Sequence, residues 1–281
     1  MTVGNLYHSL KRCLSEKYSP SESKEMVLLI FEALKNWTLT DILIRQEEEI
    51  SEYISDKSYR IADRILKGEP IQYIVGMAHF YGMKFKVDRN TLIPRPETSE
   101  LVDIIVSNNS DRKDLSVLDI GTGSGCISIA LARNLKFPKI TAVDISDGAL
   151  KVAEENAINL KADVKFIKGD ILRLPAPSGN YDIIVSNPPY VMMSEAEKMD
   201  VNVLDYEPAT ALFVPDNEPL LFYLPIIEYA VTYLNPEGQL YFEINPLCSE
   251  ILKKAVSDKG FGYIEIIKDI SGKDRFIYAI K

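Results

Sequence analysis

From residue 115 onward, short apolar β-branched runs alternate with helical stretches, and this alternation leaves the chain very few architectures. The strand-like runs are Val117–Ile120, Ile140–Asp144, Val164–Lys168, Asp182–Ser186, Gln239–Ile244, Tyr263–Ile267 and Phe276–Ile280. Between the early ones, the spacing predicts helices over Gly125–Leu135 and Asp147–Leu160. Strands separated by helical crossovers pair in parallel, so the expected fold is a doubly wound α/β sheet of seven strands. The last two runs lie too close together for a crossover and are expected as an antiparallel hairpin.

The first 70 residues read differently. Ser21 to Trp37 places Met26, Leu29, Ile30, Ala33, Leu34 and Trp37 at helical spacing, with Ser21 and Glu25 suited to the first turn. A later helix is expected to end at Leu66, before the stop residues Gly68 and Pro70. Residues 1–70 are therefore expected as a small helical domain. Residues 71–95 follow as a β-hairpin and linker, the hairpin running over Ile71–Val87 with breaks at Gly76 and Gly82. The stiff segment Thr91–Thr98 leads into a helix around Ser99–Ser107, and residues 96–281 form the second domain.

Composition then excludes several function classes. A net charge of −9 opposes a large phosphate-binding surface, and acidic residues outnumber basic ones within residues 1–70 as well. No direct nucleic-acid binding is expected. No apolar run approaches the roughly 20 residues that a membrane span requires, and the N-terminus lacks the charged and apolar regions of a signal peptide. Cys13, Cys126 and Cys248 are far apart and match no metal or disulfide spacing, which points to a reducing cytoplasm. With only His8 and His79, neither a histidine metal site nor a Ser-His-Asp triad is supported. No metal is expected.

Chemistry enters at Val117-Leu118-Asp119-Ile120-Gly121-Thr122-Gly123-Ser124-Gly125, a strand running through a glycine-rich turn into a helix. Such glycines let backbone approach a ligand, and the helix behind offers free N–H groups. Asp144 ends the next strand, 19 residues beyond Gly125, where a carboxylate can accept from both hydroxyls of a ribose. The spacing is G-x-G-x-G rather than the dinucleotide G-x-G-x-x-G. With an acidic residue closing the first strand, it resembles S-adenosylmethionine-dependent methyltransferases of class I, which have a Rossmann-like sheet. That resemblance implies S-adenosyl-L-methionine as cofactor and S-adenosyl-L-homocysteine as product. It also implies that Gly121, Thr122, Gly123, Ser124, Gly125 and Asp144 hold the cofactor, with Asp170 and Ile171 at the adenine.

The run Tyr181–Ser186 stops at Asn187-Pro188-Pro189-Tyr190, because two prolines cannot continue a central strand. A rigid turn at the C-terminal edge of a sheet suits gripping a planar NH2 group. Its lone pair is delocalised, so the group is a poor nucleophile. Asn187 Oδ1 and the Pro188 carbonyl can each accept one N–H, aiming the lone pair at a methyl donor. Tyr190 can lie against the planar group, its π face favouring the growing positive charge. Asn187, Pro188 and Tyr190 are thus the candidate catalytic residues. Asn187, Pro188, Pro189 and Tyr190 would bind substrate, with Asn187 also beside the cofactor. The turn by itself serves adenine N6, cytosine N4 and glutamine N5 equally.

Segments outside the turn separate these targets. Gly68–Gly76, Phe80-Tyr81-Gly82, Leu92–Thr98, Asn187–Tyr190 and Glu207-Pro208-Ala209-Thr210-Ala211-Leu212 closely resemble the release-factor glutamine methyltransferases, the PrmC/HemK family. The resemblance implies methyl transfer from S-adenosylmethionine to the glutamine side-chain nitrogen (N5) in the Gly-Gly-Gln loop of peptide chain release factors. It also implies an N-terminal domain that helps hold this protein substrate, and it places Phe80 and Pro94–Thr98 near the cleft. A nucleic-acid adenine-N6 or cytosine-N4 methyltransferase is the alternative.

Overall fold

Capping chemistry sets the first helices of the computed structural model, which describes residues 1–173 and 179–281. Thr2 caps α1 (Val3–Leu14) by accepting from the Asn5 amide. Ser19 and Glu22 form a reciprocal capping box at the start of α2 (Pro20–Lys35), with Pro20 in the first turn. The expected Ser21 and Glu25 therefore lie past the true start. The buried face is also rotated from the expected one: Ser23, Val27, Ile30 and Phe31 are buried, whereas Ala33 is exposed. Met26 to Phe31 is a continuous apolar run, so periodicity could not choose the face. Packing against α1 and α4 chose it.

Two more helices, α3 (Leu39–Ile44) and α4 (Glu52–Leu66), complete this layer, and α4 ends at the expected residue. Leu6, Leu10, Leu14, Ile30 and Ile65 form its core with Ile71. Each such side chain contributes about 1.5–3 kcal/mol on burial. The expected hairpin over Ile71–Val87 is shorter than predicted, because Ile71–Val75 is helix α5, closed by Gly76 at φ +71°. Ile74 and Val75 pack on the same helical core, which favours one more helical turn over extended chain. Met1–Met77 together with Asp200–Tyr206 make one unit, and Ala78–Met199 with Glu207–Lys281 make the other.

The hairpin β1 (Met77–Phe80) and β2 (Met83–Lys86), all but Met77 in the second unit, comes next, then α6 (Pro96–Asn108). The alternation that follows is β3 (Ser116–Ile120), α7 (Cys126–Asn134), β4 (Lys139–Asp144), α8 (Asp147–Leu160), β5 (Val164–Lys168) and β6 (Tyr181–Ser186). Beyond it come β7 (Val191–Met192), α9 (Val201–Tyr206) and β8 (Phe213–Val214), of which α9 belongs to the first unit. The chain closes with α10 (Tyr223–Tyr233), β9 (Leu234–Glu243), α11 (Ser249–Asp258), β10 (Tyr263–Lys268) and β11 (Asp274–Ile280).

The seven-stranded sheet has the order β10-β11-β9-β6-β3-β4-β5. Five neighbouring strands pair in parallel, and β11 pairs antiparallel with both β9 and β10. The sheet is the seven-stranded Rossmann-like arrangement expected from the sequence. Alternate residues of its central strands face two cores. Leu118, Ile184, Leu240 and Phe242 pack beneath α10 and α11, whereas Val117, Ile183, Val185 and Tyr241 pack beneath α6 and α7. Phe80 belongs to the second core, edge-on to Phe85 at 5.9 Å, and is only 3% exposed. Among the described residues, no helix is long and apolar enough to cross a membrane.

Candidate active site

The sheet order reverses at β3, with β4 and β5 on one side and β6 and β9 on the other. At such a switch point the crossovers part and leave a crevice above the C-terminal strand ends. A cavity of about 590 Å³ opens there, receiving the ends of β3, β4, β5 and β6.

One side of this cavity is the glycine turn. Gly121, Thr122, Gly123 and Ser124 line it, as do Asp144, Asp170, Ile171 and Asn187. Gly123 has φ +55°, and the space that a Cβ would enter holds no atom within 4 Å. Gly125 sits behind the lining with φ +80°. A Cβ there would meet Ile129 Cδ1 at 3.0 Å and Ala153 Cβ at 3.2 Å, so this glycine serves both the turn and helix packing. Asp119, wholly buried in β3, braces the turn by accepting from Thr122 Oγ1 at 2.6 Å and from the Ser128 amide at 3.2 Å. Its Oδ1 has no partner among the described residues. Burial pushes the Asp119 carboxyl up to about 6 despite the bonds that oppose the shift.

Asp144 accepts from the Gly123 amide at 2.8 Å on one oxygen and from the Ser146 amide at 2.9 Å on the other. Burial pushes its pKa up, and these backbone N–H groups pull it back. A carboxylate has more acceptor sites than these bonds use, which leaves capacity for a ligand hydroxyl. Asp170 accepts from the Leu172 amide at 2.9 Å and lies 3.4 Å from Arg173. An open glycine cradle, a carboxylate with spare acceptor capacity and a second acceptor beside an apolar Ile171 fit an adenosyl group.

The other side is the proline turn. Ser186 Oγ donates to the Ile120 carbonyl at 2.6 Å, tying β6 to β3 just before the turn. Asn187, Pro188 and Pro189 line the cavity, and no peptide bond among the described residues is cis. Asn187 Nδ2 donates to Thr98 Oγ1 at 3.2 Å. Its Oδ1 and the Pro188 carbonyl accept no hydrogen bond among the described residues. The turn thus presents two spare acceptors beside the glycine cradle.

Tyr190 departs from expectation. It is absent from the cavity lining, its ring packs on the core beneath α10, and its hydroxyl donates to Glu243 Oε1 at 3.0 Å. A buried carboxylate requires donors, and Tyr190 supplies one, which draws the ring inward. Phe80 likewise packs in the core rather than at the cavity, whereas Pro94, Arg95 and Thr98 do line it.

Glu243 and Asn245 escaped the sequence reading, as did the contacts of Glu207. Glu243, 1% exposed, ends β9 and accepts from Thr98 Oγ1 at 2.7 Å. Asn245 Nδ2 donates to the Tyr190 carbonyl at 3.2 Å. Glu207 pairs with Arg95 at 2.7 Å and accepts from the Ile93 amide at 3.2 Å, so Leu92–Thr98 and Glu207–Leu212, distant in sequence, meet at the rim. For Glu243 the available signal was a carboxylate closing an apolar run, Leu240-Tyr241-Phe242-Glu243.

Comparison with known proteins agrees with this geometry. A methyltransferase domain family matches residues 111–260, and the PrmC N-terminal domain family matches residues 5–76. The release factor glutamine methyltransferase of Bacteroides thetaiotaomicron is 44% identical, over 96% of this chain and 97% of the relative. That of Flavobacterium psychrophilum is 40% identical, over 99% and 98%. Among solved structures, a methyltransferase from Pyrococcus furiosus superposes with a TM-score of 0.54 at 20% identity, covering 80% of this chain and 98% of that one. The latter likeness concerns the fold. With two family matches and relatives at this identity over nearly their whole length, the chain belongs to the release factor glutamine methyltransferases.

Proposed function

We propose that this protein transfers a methyl group from S-adenosyl-L-methionine to the side-chain amide nitrogen of the glutamine in the Gly-Gly-Gln motif of peptide chain release factors. One observation carries the reading. Two acceptors with no partner among the described residues, Asn187 Oδ1 and the Pro188 carbonyl, stand at the cavity beside the glycine turn of a chain that belongs to this family.

When bound, the cofactor supplies an electrophilic methyl on a sulfonium. Gly121 to Ser124 would cradle it, with Gly125 shaping the turn from behind, Asp144 would accept from its ribose hydroxyls, and Asp170 with Ile171 would receive the adenine. Asn187 Oδ1 and the Pro188 carbonyl would each take one N–H of the substrate amide, fixing its plane and turning its lone pair toward the methyl. The same acceptors would stabilise the partly positive nitrogen as it becomes tetrahedral, and once methylated that nitrogen is acidic and loses one proton to solvent, so no strong base is needed beforehand. Pro189 keeps the turn stiff. Tyr190 acts from beneath the turn by anchoring it to Glu243, rather than by covering the substrate.

Residues 1–70 would help recognise the release factor, which the match of residues 5–76 to the PrmC N-terminal domain supports. The acidic balance of the chain supports a protein substrate over direct nucleic-acid binding. The test gives purified enzyme isotopically labelled S-adenosylmethionine, with release factor in one reaction and RNA or DNA in another. Mass spectrometry of the Gly-Gly-Gln peptide should find one added methyl on glutamine. Label in nucleic acid alone would transfer the reading to base methylation.

A further inference from the structure

We infer that Glu243, acting through Thr98, sets which way the Asn187 amide faces, and so determines whether the turn offers an acceptor or a donor to its substrate. The inference rests on the reading of the turn as an amide-binding site and adds two positioning residues to it.

A hydroxyl carries one hydrogen. Thr98 Oγ1 lies 2.7 Å from Glu243 Oε2 and 3.2 Å from Asn187 Nδ2. Glu243 is buried, and its two oxygens accept separately, Oε2 from Thr98 and Oε1 from Tyr190 at 3.0 Å. A carboxylate has no hydrogen to return, so the Thr98 proton points at Glu243. The Thr98 oxygen is then left as an acceptor toward Asn187, and only the NH2 end of the amide can satisfy it. Oδ1 therefore faces the cavity.

Polarity has to be set this way because an asparagine amide is nearly symmetric in shape. Steric packing hardly distinguishes its two orientations, whereas hydrogen bonding does. In the wrong orientation the Asn187 NH2 would confront the substrate NH2, donor against donor. Rigidity adds to this. Glu243 closes β9, Thr98 is 2% exposed in the first turn of α6, and the Tyr223 hydroxyl donates to the Glu243 backbone carbonyl at 2.9 Å. The chain Glu243–Thr98–Asn187 thus transmits the charge of a buried carboxylate into the direction of one lone pair.

Glutamine at 243 has the same shape but can donate to Thr98. That would free the Thr98 hydroxyl to donate to Asn187 Oδ1 and turn the amide over. Full-length wild type, Glu243→Gln, Thr98→Val and Thr98→Ser are compared by methyl transfer to release factor, calorimetry with S-adenosylmethionine, and NMR of the Asn187 side-chain amide. The amide signal is assigned by its loss in Asn187→Asp. Glu243→Gln and Thr98→Val should lower kcat on the order of 10-fold to 100-fold while cofactor Kd stays within about 3-fold. Exchange of the Asn187 amide hydrogens with solvent should quicken about 10-fold in Thr98→Val, and Thr98→Ser should restore both turnover and protection.

Unchanged kcat and amide exchange in Thr98→Val and Glu243→Gln would overturn the inference. So would equal losses of kcat and cofactor affinity with an unmoved amide signal, the pattern of general structural damage. If wild type leaves release factor unmethylated, the proposed function fails. The amide signal, which needs no substrate, still decides the positioning role, and Thr98→Val decides it should Glu243→Gln not fold.

Discussion

The two walls of the active-site cavity are built in opposite ways. On the cofactor wall most bracing contacts are short in sequence. Thr122 bonds to Asp119 three positions away, Ser128 to Asp119 nine away, and Gly123 to Asp144 twenty-one away. On the substrate wall, Asn187 is held by Thr98 from 89 positions away, and Thr98 by Glu243 from 145 away. Tyr190 reaches Glu243 across 53 positions. The first wall is therefore a property of one β–loop–α unit and its neighbour. The second exists only once α6, β6 and β9 have assembled, so it should be more easily uncoupled from the first by mutation.

The sharpest test of that division is Asn187→Ala. It should cost on the order of 100-fold to 1000-fold in turnover on release factor, because it removes an acceptor aimed at the reacting nitrogen. Cofactor affinity measured by calorimetry should change only a few-fold. A comparable fall in both would mean that the walls are one unit. Asp144→Ala should do the reverse, weakening S-adenosylmethionine binding by about 2 kcal/mol or more, on the order of 30-fold. Its turnover at saturating cofactor should stay close to wild type.

Gly125→Ala probes the local wall through stability instead. Its φ of +80° and the contact that a Cβ would make with Ile129 at 3.0 Å should destabilise the fold by about 1–3 kcal/mol in urea unfolding. Gly123→Ala, also at positive φ but facing open space, should cost less stability and show its effect in cofactor binding.

A further test of the local wall concerns Asp119. Its folded pKa is raised to about 6 from an ordinary value of 3.8, so the folded state binds this proton more tightly than the unfolded chain does. The resulting stabilisation is complete below about pH 4 and is lost as pH rises through about 6. Wild type should therefore lose stability relative to Asp119→Asn between pH 4.5 and 7. A difference that stays flat across this range would show that Asp119 titrates normally.

Much of this protein was legible in its sequence because the physics involved is local. Strand and helix periods marked all seven strands of the sheet, Asp147–Leu160 was placed to the residue, and the Pro188-Pro189 stop placed the turn at the end of β6. Glycine spacing marked the cradle, since positive φ and open approach are demands on single residues. The same reasoning failed where a run offered no period to read, as at Met26–Phe31 and Ile71–Val75, and where a ring could face either way, as with Tyr190 and Phe80. Only tertiary structure decided that Glu243, Thr98 and Asn187 would touch, that Arg95 would pair with Glu207, and that Tyr190 would turn inward. A hydrogen bond between residues 145 positions apart leaves no trace in either local pattern, because its energy is realised only when the packed strands bring donor and acceptor within reach.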